Sequence, residues 1–416
     1  MPSHPPLICL YFQVHQPYRL RDLRITEIGK EGLTYFDEEK NRSIFRKVSE
    51  KCYLPANRLM LELLTQYPDF RISYSLSGVF LDQCEEYGRD VLQLFQALSK
   101  TGQVEFLAET YHHSLSAIHS LPEFCAQVQA HTKKIQDCFG QTPRIFRNTE
   151  LIYSNELAHI VRLLGYRGIL AEGADHLLYG RSPNHPYVPP TFRLPKHMEM
   201  VISRERQGKK RSEKIHILLK NYRLSDDIAF RFSDTQWNGY PITAETFTDW
   251  LRVSADHSIN LFMDYETFGE HQWEDTGIFE FLRALPRLWA ERKIGAATAS
   301  EVLESWGERP SPVFDAHAVI SWADSERDLS AWQGNEIQRA AIQSLYALEK
   351  EVKEAEDQSL TEDWRRLQTS DHFYYMSTKY WSDGDVHKYF SPYDSPYEAY
   401  RRFSHALWDL RQRLGL

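Results

Sequence analysis

The sequence predicts an α/β fold, a closed seven-stranded (β/α)7 barrel of the TIM type followed by a C-terminal helical region. Three observations carry this. Short apolar runs alternate with amphipathic helical stretches through the first 295 residues. The outermost runs, residues 7–14 (LICLYFQV) and 259–263 (INLFM), are almost wholly apolar, as strands covered on both faces are. Beyond residue 295 the strand-like runs stop and helical patterns take over.

Strands are expected at 7–14, 71–77, 103–108, 144–148, 168–171, 228–232 and 259–263, with an eighth run at 215–219. Helices fall between most of them. Residues 58–66 put Leu59, Leu63 and Leu64 on one side, and 91–98 do the same with Leu94 and Phe95. Ser154 is placed to cap a helix carrying Leu157, Ile160, Val161 and Leu164, and Gly165 to end it. A further helix, 246–253, leads into the last strand. Alternation of this kind means parallel pairing through right-handed crossovers. Seven units over about 270 residues fit a closed barrel better than an open doubly wound sheet.

In the second part, Thr298 and Glu301 have the spacing of a capping box. Residues 335–355 read as one long helix with Ile337, Ala341, Leu345, Leu348 and Val352 on a stripe. Ser395-Pro396-Tyr397-Glu398 reads as a second capping box, opening a helix with Tyr400, Phe403, Leu407, Leu410 and Leu414. No repeat or Gly/Ser linker separates the parts. The expected division is a catalytic barrel over 1–295 and a helical region over 296–416, packed on the barrel and contributing to its cleft.

The net charge of −9 argues against nucleic acid as a partner, and the basic run at 204–214 (RERQGKKRSEK) reads as a solvated loop. No stretch is long and apolar enough for a signal peptide or a membrane span. The five cysteines are scattered and lack CxxC spacing, which suits reduced thiols in the cytoplasm. Aromatic residues make up 13%, and their faces suit the C–H face of a sugar ring. The oligomeric state is not written in the sequence.

In such a barrel the site sits at the C-terminal ends of the strands. His15 and Gln16 follow the first strand; Glu109, His112 and His113 follow the third. Glu150, Glu172 and Asp264 follow the fourth, fifth and seventh, and Asp226 and Asp227 precede the sixth. Glycoside hydrolysis needs two carboxyl groups flanking one bond. Glu150 and Asp264 are one such pair among several acids. His15, His112 and His113 sit near these acids, but no HxH or HxxxH pair supplies two metal ligands from one element, so no metal and no cofactor is expected.

Five separated motifs then recur in order. They are FQVHQPY at 12–18, GQVEFLAETYHHSL at 102–115, FRNTELIY at 146–153, LFMDYETFGEHQW at 261–273 and DHFYYMSTKYWSDGDVHKYFSPY at 371–393. Together they resemble glycoside hydrolase family 57, in its short α-amylase branch, over nearly the whole chain. The resemblance implies a distorted seven-stranded barrel, a retaining mechanism and α-glucan or maltooligosaccharide substrates. It implies that Glu150 is the nucleophile and Asp264 the general acid/base. Substrate contacts are expected from His15, Gln16, His112, His113, His271, Trp273, Asp371, His372 and Trp381. Glu109, Asp227 and Glu266 are expected to be structural, and the aromatic cluster with Asp383 and Asp385 to form part of a lid. Many family members carry a histidine where this chain has Gln13.

Three other readings remain beside a hydrolase of starch or glycogen. They are a 4-α-glucanotransferase, a metal-dependent polysaccharide deacetylase and a non-catalytic glucan-binding protein.

Overall fold

The computed structural model describes residues 6–206, 210–254, 256–381 and 386–416, without the side chains of Tyr380, Trp381 and Val386. Its strands are β1 (Leu7–Val14), β2 (Ile72–Leu76), β3 (Val104–Phe106), β4 (Ile145–Arg147), β5 (Gly168–Glu172), β6 (His216–Lys220), β7 (Ser258–Asp264) and the two-residue β8 (Gly295–Ala296). One sheet runs β3-β2-β1-β7, with β8 also on β1; the other runs β4-β5-β6. Every ladder is parallel.

The two sheets meet at both edges. Ala108, just past β3, bridges Phe146 of β4. At the other seam, Asn221 donates its backbone N–H to the carbonyl of Asn260 (2.9 Å), and the Asn260 side chain donates to the carbonyl of Leu219 (2.8 Å). The strand order therefore closes as a distorted seven-stranded barrel, with side-chain bonds standing in for part of the last ladder.

Strand period explains what fills it. Ile8, Leu10, Phe12 and Val14 point outward into a large apolar cluster with the surrounding helices. Cys9, Tyr11, Leu107, Ile145, Leu170, Leu218 and Phe262 meet inside. One more step of two along each strand reaches Gln13, Arg147, Glu172, Lys220 and Asp264. The inward face thus turns from apolar to polar at the C-terminal end of strand after strand, which builds a reactive floor on a greasy plug.

Three expectations need correction. The run 228–232 is not a strand: Tyr222–Ala229 is helical, and the sixth strand is β6, at the run first counted as an eighth. Asn221 ends β6 and caps that helix by accepting from the Leu224 N–H at 3.2 Å, so the chain coils at once. Ile228, Phe230 and Phe232 mimic a strand's alternation, yet Phe232 is buried while Phe230 is 61% exposed. The helix expected over 335–355 is broken into Glu336–Tyr346 and Glu349–Glu354, though Ala341, Leu345, Leu348 and Val352 stay buried. The box at Ser395 forms by half. Ser395 accepts from the Glu398 N–H, but the Glu398 carboxylate accepts from Asp394 N–H (3.0 Å) and pairs with Arg402.

The other caps form as read. Thr298 and Glu301 exchange both bonds, and Ser154 and Gly165 bound the helix Asn155–Leu164. All five cysteines are free. Among the described residues no helix is long and apolar enough to cross a membrane.

Candidate active site

The chain after β8 completes the polar end of the barrel. Ser370 N–H donates to the His113 carbonyl (2.9 Å), and Trp322 N–H donates to the Glu150 carbonyl (3.2 Å). Between these segments and the strand ends lies a cleft of about 630 Å³. Its lining includes His15, Gln16, His113, Glu150, Asp264, His271, Trp273 and Asp371.

Glu150 sits in a left-handed turn (φ 58°, ψ 27°) just past β4. That conformation is strained for a residue with a side chain and is common where function fixes geometry. Its carboxylate is gripped from both sides. His113 Nε2 donates to Oε1 (3.1 Å) and Trp322 Nε1 to Oε2 (2.7 Å), with Ser370 Oγ at 3.4 Å from Oε1. Burial works to raise the Glu150 carboxyl, but the bond and charge of His113 outweigh it and hold the group below the usual glutamate range.

His113 is itself fixed. Its Nδ1 donates to Glu109 Oε2 at 3.0 Å, and its ring stacks on His15 at 4.0 Å. Burial opposes its charge, yet the carboxylates of Glu109 and Glu150 raise its pKa to about 9. Glu109, fully buried, goes the other way: burial opposes ionisation, but His113 draws it to about 2. Gln13 takes a place in the same lattice. Its amide donates to Glu109 Oε1 (3.2 Å) and its carbonyl accepts from Tyr11 and Ser75.

Asp264 lies beside Gln13 in the β1–β7 register. Burial first, and the charge of Glu150 second, push its carboxyl up to about 6, against Arg147, Lys220 and His113. Beyond it, burial and then the charge of Asp264 carry Glu266 up to about 8. Glu266 accepts from the Tyr53 hydroxyl, which accepts in turn from the Gln16 amide (3.1 Å). Gln16 thus reaches the acid side of the cleft through Tyr53.

The remaining expected residues divide. His15 bonds Ser77 Oγ (2.7 Å) and Asp371 Oδ2 (3.1 Å), which ties β1 to the helix Ser370–Tyr374. His271 and the 58% exposed Trp273 line the cleft, His271 with its ring against Tyr389 and Phe390 and Trp273 under the Lys51 ammonium. His112 and His372 do not reach the cleft. His112 turns toward Glu362 (3.4 Å), because only one of two adjacent side chains can point inward. His372 points back to the Arg366 carbonyl (3.2 Å). Of the fifth motif, the Trp381 side chain and residues Asp383 and Asp385 lie outside the described residues. Asp227 pairs with Arg231, off the cleft.

Sequence reasoning missed Trp322, Arg147 and Lys220, all of which line the cleft. Lys220 pairs with Asp226 (2.9 Å), and Arg147 and Lys220 both lie about 5 Å from the Trp322 ring centre. A charged residue at the end of an apolar strand, as in IFR and HILLK, was the available signal for two of them. Trp322 carries no local signal. Among the described residues no three His, Cys, Asp or Glu side chains are grouped as a metal-ligand set.

Residues 9–315 match the model of glycosyl hydrolase family 57. The chain belongs to that family. It is 42% identical to "Putative alpha-amylase" of Methanocaldococcus jannaschii, across 97% of this chain and 84% of that protein. Two solved structures are similar at low identity. A branching enzyme from Thermococcus kodakaraensis superposes with a TM-score of 0.65 at 14% identity, over 96% of this chain and 88% of that one. The α-amylase AmyC of Thermotoga maritima gives 0.60 at 13%, over 99% and 94%. The glycosyl hydrolase family model ends before Trp322 and Ser370, so two of the donors to Glu150 lie beyond the matched stretch.

Proposed function

We propose that this family 57 protein is a retaining α-amylase-type hydrolase that cleaves α-1,4 bonds in starch, glycogen or maltooligosaccharides. One observation carries the reading: two carboxyl groups in one cleft are pushed in opposite directions, Glu150 down and Asp264 up to about 6. That split is what a nucleophile and a general acid need at one pH. Glu150 attacks the anomeric carbon while Asp264 gives its proton to the departing glycosidic oxygen. The bond to that oxygen breaks and a glycosyl ester to Glu150 forms. Asp264, now ionised, takes a proton from water as the water attacks the same carbon and frees Glu150.

In this reading residues 1–295 are the catalytic barrel, and 296–416 supply the second wall of the cleft. His15, His113, His271, Trp273 and Asp371 contact or frame the sugar. The glucan is the partner, with no nucleic acid or membrane involved. The cytoplasm is the compartment, in keeping with five unpaired cysteines.

Maltoheptaose tests the reaction. Chromatography should show only shorter sugars. Products longer than the input would move the reading to a 4-α-glucanotransferase, where a sugar hydroxyl replaces water. No change at all would leave glucan binding without catalysis.

The same pair sets the pH dependence. Asp264 must carry its proton, so kcat/KM should fall as pH rises through about 6. Glu150 must be ionised, so the acid limb should lie below the ordinary glutamate value of 4.5. A pH profile of kcat/KM on maltoheptaose checks both limbs. An alkaline limb above neutrality would remove Asp264 from the acid role.

A further inference from the structure

Arg147 is a fully buried charge at the site, as are Glu109 and Glu172. It is the last inward residue of β4 and is fully buried. Among the described residues none of its three side-chain nitrogens has a hydrogen-bond partner. The other cleft cations have partners: Lys220 pairs with Asp226, Arg327 with Glu172 (3.5 Å), Lys47 and Lys51 with Glu270 (2.6 and 3.4 Å), and Arg19 donates to the Gln16 side-chain oxygen (3.0 Å). Among the described residues Arg147 has the face of Trp322, with its guanidinium carbon 5.0 Å from the ring centre. The edge of that same indole donates to Glu150. Leaving a guanidinium buried without a carboxylate is unfavourable, so a buried charge is ordinarily paired.

We propose that Arg147 is a positioning residue for the cleavage reaction, a fixed unpaired cation beneath the cleft floor that stabilises negative charge on Glu150 and Asp264 alike. The proposal rests on the reaction read above. In that cycle the pair always carries one negative charge. It starts on Glu150 and moves to Asp264 as the glycosyl ester forms and the Asp264 proton leaves with the sugar oxygen. It returns when water attacks and Asp264 takes a proton back.

A cation hydrogen-bonded to one carboxylate would hold the charge there. An unbonded cation attracts both, because Coulomb attraction falls only as the inverse of distance. Trp322 lies over the guanidinium, which is fully buried at the wall of the cleft. The electrostatics agree: Arg147 lowers the pKa of Glu150, Asp264 and Glu109 together. The other groups facing Asp264 are Glu150, Glu266, Lys220 and His113, with Tyr11 inside the barrel; His113, Trp322 and Ser370 face Glu150.

The test compares wild type with Arg147→Met, which keeps the bulk, and Arg147→Lys, which keeps the charge. Arg147→Met should stay folded and melt within a few degrees of wild type, because the loss of its attraction for the carboxylates and of the Trp322 contact is offset by relief of a buried, unbonded charge. Both limbs of its kcat/KM profile should move up by about one pH unit, with KM changed less than about twofold. Arg147→Lys should leave the limbs near wild type. Carbon-13 NMR of labelled aspartate, assigned with Asp264→Asn, should show Asp264 titrating higher in Arg147→Met. Unmoved limbs with an unmoved Asp264 titration would overturn the inference. So would a raised KM at fixed limbs, which marks a substrate contact, or a much lower melting temperature, which marks a strut. If wild type leaves glucans intact, the reading of the reaction fails, and the Asp264 titration still decides the role of Arg147.

Discussion

Glu150→Gln should lose at least about 1,000-fold in kcat on maltoheptaose, because an amide cannot form the glycosyl ester. The fold should persist. Glutamine has the same shape, and its carbonyl still accepts from the Trp322 indole N–H. A second change should accompany the loss. The charge of Glu150 is one of the two causes that raise Asp264, so removing it should bring the Asp264 pKa down from about 6 toward 3.8. Turnover by product chromatography and titration of Asp264 by NMR check the two parts. A variant retaining a tenth of wild-type activity would mean that another carboxylate is the nucleophile.

Asp264→Asn should lose about 100- to 10,000-fold on the same sugar, the usual worth of a proton placed in the transition state. Its signature is dependence on the leaving group. An aryl maltooligoside with an acidic phenol departs without a proton, so the first step should run within about tenfold of wild type. The second step still needs a base to activate water. The glycosyl ester on Glu150 should therefore accumulate, and intact-mass spectrometry should find the protein heavier by the transferred sugar. Equal losses on both substrates would sink the acid/base assignment.

Much of this was legible in the chain because strand period and site coincide. β1 was read to the residue, since eight nearly apolar positions between Pro6 and the polar His15-Gln16 allow one reading. β6 was misplaced because the five residues Ile-Ala-Phe-Arg-Phe at 228–232 cannot separate a strand from a helix end, whereas the helix cap at Asn221 could have. The break after Tyr346 has no glycine or proline to mark it. His113, Glu150 and Asp264 follow strand ends and were found there. Trp322 was not, because it joins the site from a loop 172 residues after Glu150, outside any strand or helix pattern. The choice between His112 and His113 is one of direction, which backbone geometry settles and spacing cannot.

The grip on Glu150 also sets a timetable. A ribosome delivers the chain from its N-terminus, and all seven main strands are out before residue 322 appears. At that stage the carboxylate has His113 but neither the indole of Trp322 nor the hydroxyl of Ser370. Its Asp371 counterpart on His15 is also still unmade. A half-synthesised chain can therefore hold Glu150 and Asp264, the two carboxyl groups proposed to react, and still lack the donors from Trp322 and Ser370 that orient Glu150.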